Sequence, residues 1–82
     1  MTMTQREIEE IIKKEIYIIL GGKTEVRPDE LLHNLGMDSM GFVELLVFIE
    51  KRFGIRLVDS GLNKEDFRTA RSLSTCISKK TA

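Results

Sequence analysis

The chain has 82 residues, 41% of them hydrophobic, with one proline and one cysteine. That describes one small globular domain over residues 1–82, near the lower size at which a core forms unaided, with little chain left for a deep catalytic cleft. Thirteen basic side chains balance thirteen acidic ones, so the basic excess by which nucleic-acid binders neutralise phosphates is missing.

Cys76 is alone, which excludes an intramolecular disulfide and a thiolate metal cluster, and it reads as a buried, inert thiol. The opening M-T-M-T-Q-R-E lacks an apolar signal core, and no run reaches membrane-spanning length. A cytoplasmic monomer is the expectation.

In chain order, the first helix is predicted over about residues 4–20. Thr4 and Glu7 have the spacing of a capping box. Ile8, Ile11, Ile12, Ile16 and Ile19 then recur at helical spacing, with Glu15 falling inside the stripe. Gly21-Gly22 provides the stop.

Residues 23–38 read as a long connection anchored by Val26, Leu31, Leu32 and Leu35, with a helical turn at Asp29–His33 entered through Pro28. The second helix spans about 39–53, capped by Asp38 or Ser39 and stopped by Gly54. A short helix at 63–67 and a last one at 69–79, capped by Thr69 and ending in Lys79-Lys80, complete the chain. The predicted class is all-α: a small bundle of three main helices plus one short helix, with a long loop between the first and second.

The segment L-G-M-D-S-M-G, Leu35 to Gly41, bears the candidate chemistry. A hydrolase nucleophile elbow needs glycines two places either side of the serine and a buried strand before it. Gly41 fits, but Met37 occupies the other place and H-N-L-G-M-D is no strand. The only histidine, His33, reads as a solvated loop residue. No catalytic residue and no metal ligand is therefore assigned.

On a helix advancing about 100° per residue from Ser39, Phe42, Leu45, Leu46, Ile49 and Phe53 share one arc about 100° wide, the core face. Met40, Val43 and Val47 form a second apolar stripe starting beside Ser39, edged by Glu44 and Glu50. Periodicity leaves two readings of this stripe: more core, covered by the 23–38 connection, or a docking face for a partner. Phe48 belongs to neither face, and Gly41 costs about 1 kcal/mol of helix propensity for no reason visible in the sequence.

The run L-G-M-D-S-M-G-F-V-E-L-L-V-F-I-E-K-R-F-G-I resembles the attachment motif of the acyl carrier and peptidyl carrier proteins. Leu35, Gly36, Asp38, Ser39, Met40, Val43, Glu44, Leu45, Ile49, Phe53 and Ile55 occupy the motif places. The resemblance implies that Ser39 receives 4′-phosphopantetheine from coenzyme A, that Asp38 contacts the phosphopantetheinyl transferase, and that an acyl or aminoacyl group is carried as a thioester on the arm. It further implies that Met40, Val43, Glu44, Val47 and Glu50 dock a loading ligase and the synthase or transferase enzymes that use the cargo.

Gly41, Lys51 and Arg52 stand where such carriers often have acidic or polar residues. That points away from the general fatty-acid synthase and toward a dedicated lipid, polyketide or nonribosomal-peptide type of pathway. The alternative is an unmodified helical adaptor that binds a partner through its second helix.

Overall fold

A computed structural model describes residues 3–56 and 67–81. Three α-helices follow one another there: α1 (Gln5–Ile19), α2 (Ser39–Phe53) and α3 (Ala70–Thr81). Apart from one isolated antiparallel bridge between Leu31 and Thr69, the described residues are helices and turns. The all-α class is as expected from the sequence. The short helix expected at 63–67 lies outside the described residues except for Phe67, which packs half-buried against the core.

The cap of α1 forms as the T-x-x-E spacing requires. The Glu7 amide donates to Thr4 Oγ1 at 3.2 Å, and the Thr4 amide donates to Glu7 Oε1 at 3.1 Å. Two of the helix's orphan donors are thereby satisfied. Ile8, Ile12 and Ile16, successive on one face, are fully buried, while Ile11, Ile19 and Glu15 sit at its half-buried margin. Each such burial is worth about 1.5–3 kcal/mol.

α1 packs chiefly on α3, whose inner face supplies Ala70, Leu73, Cys76 and Ile77. Ser74 is the one buried polar residue among those described, and its hydroxyl donates to the Ala70 carbonyl at 2.6 Å. At the helix edges, Gln5 Nε2 donates to Thr75 Oγ1 at 2.7 Å, and Arg71 lies 3.8 Å from Glu9. Thr69 caps α3 as expected, accepting from the Ser72 amide at 3.0 Å.

The connection between α1 and α2 is tied to the entry of α3 by backbone bonds. The Leu32 amide donates to the Arg68 carbonyl at 2.8 Å, and the Arg71 amide to the Pro28 carbonyl at 2.9 Å. Val26, Leu32 and Met37 drop from it into the core. The turn expected at Asp29–His33 lies further along: Asn34 and Leu35 both donate to the Leu31 carbonyl. A separate turn closes before it, the Glu30 amide donating to the Arg27 carbonyl at 3.2 Å.

Candidate functional site

The site grows from the start of α2. Asp38 stands just outside the helix with extended backbone (φ −100°, ψ −178°), and its Oδ1 accepts the Gly41 amide hydrogen at 2.8 Å. Its own carbonyl accepts from the Phe42 amide at 3.0 Å. Of two adjacent residues able to cap, the structure therefore uses Asp38.

Ser39 becomes the first residue inside the helix. It is exposed, and its hydroxyl has no hydrogen-bond partner among the described residues. The amides of Ser39 and Met40 are likewise without a partner there, because only Gly41 and Phe42 of the first turn donate to Asp38. An uncommitted hydroxyl thus stands beside two unpaired N–H groups at the positive end of a helix dipole.

Gly41 explains how Asp38 reaches its position. It is buried, unlike its neighbours Ser39 and Met40. A methyl at Gly41 would overlap Met37 Sδ and press on Ile19 Cγ2 at 3.2 Å and Asp38 Oδ1 at 3.3 Å. The missing side chain lets the first turn of α2 lie directly on Met37 and on the end of α1. The helix-propensity cost that the sequence left unexplained is a packing requirement.

This close approach also sets the rotation of α2. Gly41, Leu45 and Ile49 form its buried line, with Phe42, Leu46 and Phe53 half-buried on one side and Phe48 half-buried on the other. Phe48, which periodicity left unassigned, is a core-edge residue. The C-terminus is set by Gly54 in the left-handed conformation (φ 70°), its amide donating to the Glu50 carbonyl at 2.9 Å.

The second stripe is exposed. Met40 is 71%, Val43 57% and Val47 46% accessible, and Glu44 and Glu50 are exposed at their margins. The connection does not cover it, since that segment runs to α3. Exposed apolar side chains aligned over two turns are the pattern of a contact surface.

The charges around the stripe differ. Glu50 lies 3.7 Å from Arg56, whereas Glu44 has no ion pair among the described residues. Exposed Lys51 and Arg52 make the C-terminal end of α2 basic, and Arg52 sits over the Phe53 ring at 5.8 Å.

No histidine or carboxylate among the described residues contacts the Ser39 hydroxyl, and exposed His33 belongs to the connection. An open groove lined by Glu10, Ile11, Tyr17, Lys23 and Val26 lies on α1 and includes none of these residues. What the start of α2 offers is an accessible oxygen on a rigid base with hydrogen-bond donors for an attached anion.

The family model described as "Phosphopantetheine attachment site" matches residues 6–77. The D-alanyl carrier protein of Streptococcus suis (strain 98HAH33) is 42% identical over 50 residues, 61% of this chain and 63% of that protein. Aminoacyl carrier protein 2 of Bradyrhizobium diazoefficiens is 32% identical over 53 residues, 65% of this chain and 60% of that protein. The D-alanyl carrier protein of Streptococcus suis (strain 05ZYH33) is 33% identical over 66 residues, 80% and 75% of the two chains. The chain thus spans less than two thirds of the length of the first two relatives. No solved structure matches it. No helix of the described residues is long and apolar enough to cross a membrane.

Proposed function

The chain belongs to the phosphopantetheine attachment family; on that premise we propose that it is a carrier protein and not an enzyme, that Ser39 is the attachment residue for covalent 4′-phosphopantetheine, and that the cargo is an aminoacyl group. One observation carries the assignment of Ser39: its exposed hydroxyl is left without a partner because Asp38 does the capping. When bound, the arm supplies a terminal thiol on which the cargo is held as a thioester.

The residues of α2 divide the remaining work. The Ser39 oxygen is the acceptor: it would bond to the phosphorus bearing the pantetheine arm as the pyrophosphate bond of coenzyme A breaks and adenosine 3′,5′-bisphosphate leaves, and the base that removes its proton belongs to the visiting transferase. The Ser39 and Met40 amides face the attached phosphate, favourable by about 0.3–1 kcal/mol at a helix start. Asp38 contributes a carboxylate to the transferase complex beside the serine. Met40, Val43 and Val47 form the apolar contact for visiting enzymes, with Glu44 the acidic margin left unpaired. Those visitors are a phosphopantetheinyl transferase, a loading ligase and the enzyme that takes the cargo.

The aminoacyl reading rests on the names of the relatives, which are D-alanyl and aminoacyl carriers. The basic end formed by Lys51 and Arg52 favours dedicated partners over those of a general fatty-acid synthase. The test is to isolate the protein from its native cells, release thioester-bound material with hydroxylamine and identify it by mass. An amino-acid hydroxamate agrees with this function; a fatty-acyl hydroxamate overturns the cargo. Protein never carrying an arm in those cells returns the unmodified adaptor.

A further inference from the structure

We infer that Gly41 is a positioning residue for the attachment serine, because its missing side chain lets the first turn of α2 rest on Met37 and Ile19. The inference rests on Ser39 being the attachment site. Serine and aspartate are both strong N-cap residues, so their adjacency creates a competition for the first turn of α2. If Ser39 took the cap, its oxygen would accept an amide hydrogen of the first turn and cease to be an uncommitted acceptor for the phosphoryl group.

The structure resolves the competition in favour of Asp38. Its Oδ1 lies 2.8 Å from the Gly41 amide nitrogen, and a Cβ on that same residue would stand 3.3 Å from Oδ1. Glu7 and Ser72 carry a Cβ at the same place in α1 and α3 and still donate to their caps at 3.2 and 3.0 Å, so that contact alone is tolerated. Met37, 4% accessible, fills the space below, and its sulfur occupies the place the methyl would need. Ile19 closes the third side. A side chain at Gly41 must therefore push Met37 aside or lift the turn off α1, and the second of these moves Ser39. The glycine keeps the turn, and with it Ser39, in the position that Asp38 caps.

The test uses coenzyme A, magnesium and a broad-specificity phosphopantetheinyl transferase, with intact mass as the readout at a temperature where circular dichroism reports each variant folded. Gly41→Ala should lower kcat/KM for modification by about threefold or more. Adding Met37→Ala to Gly41→Ala should recover the rate to that of Met37→Ala alone, since the obstructing sulfur is gone. Leu73→Ala, a distant core truncation, should lower the melting temperature while leaving the rate of the folded protein unchanged, which separates positioning from stability.

Gly41→Ala modified at the native rate while folded, or a double variant no faster than Gly41→Ala, overturns the inference. Should Gly41→Ala alone not fold, the double variant decides: folded and modified at the rate of Met37→Ala supports the inference, and folded but slower than Met37→Ala overturns it. A native chain that gains no mass removes the attachment reading itself, an outcome distinct from either.

Discussion

Asp38 Oδ1 accepts the amide hydrogen of Gly41 at 2.8 Å, and this bond determines which of two adjacent residues begins α2. With the cap supplied by the aspartate, Ser39 is the first helical residue and its hydroxyl has no partner among the described residues. Asp38→Ala should cost about 1 kcal/mol of stability, the usual loss for an N-cap. It should appear in urea unfolding as a lower midpoint at unchanged slope. An unchanged midpoint would mean that Ser39 takes over the cap in full.

Gly41→Ala gives opposite signs on local and tertiary grounds. Helix propensity alone gains about 1 kcal/mol from the change. Overpacking against Met37, Ile19 and Asp38 costs about 1–3 kcal/mol. The balance predicts a destabilised protein, measurable in the same urea titration. A variant more stable than the native chain would show that the buried turn has room for a methyl.

Adjacent positions on α2 should behave oppositely. Glu44 is exposed and Leu45 fully buried. Glu44→Lys should leave stability within about 0.5 kcal/mol and weaken transfer of the arm by the transferase. Leu45→Ala should cost about 2–5 kcal/mol. If Glu44→Lys unfolds the protein, α2 is rotated differently from the structure described.

The capping box of α1 makes part of the stability depend on pH. The Thr4 amide, then the Thr4 hydroxyl, hold the Glu7 carboxyl below the ordinary glutamate value. A depressed folded-state value means the unfolded chain binds a proton more readily, so stability rises with pH through this window. The contribution is fully present above the ordinary glutamate value and is lost as pH falls through the lowered one. Glu7→Gln should remove that share of the acid-side slope in urea midpoints measured from pH 6 to pH 3, about the range over which a glutamate titrates. An identical slope in both proteins would contradict the box as a charged interaction.

Much of this was legible in the sequence because it depends on short spacings. The Thr4–Glu7 box, the Thr69 cap and the placing of Ser39 at a helix start are set by neighbours three residues apart or closer. The rest depended on tertiary contacts. Glycine adds nothing to an apolar count, so periodicity centred the core face of α2 on Phe42 and Ile49 and left Phe48 outside. The buried line runs instead through Gly41, Leu45 and Ile49, which brings Phe48 to its edge.

The choice between Asp38 and Ser39 as cap was equally closed to sequence reading, since both residue types suit the position. Whether Met40, Val43 and Val47 were core or surface depended on the path of the connection. Its backbone bonds from Leu32 to Arg68 and from Arg71 to Pro28 take it to α3 and leave the stripe open.

The central claim is that Ser39 is the attachment point of the arm. The most direct measurement is intact mass before and after incubation with coenzyme A, magnesium and a broad-specificity phosphopantetheinyl transferase, on the native chain and on Ser39→Ala. The account predicts a gain of one phosphopantetheinyl group on the native chain and none on the variant. No gain on the native chain, or an equal gain on Ser39→Ala, would contradict it.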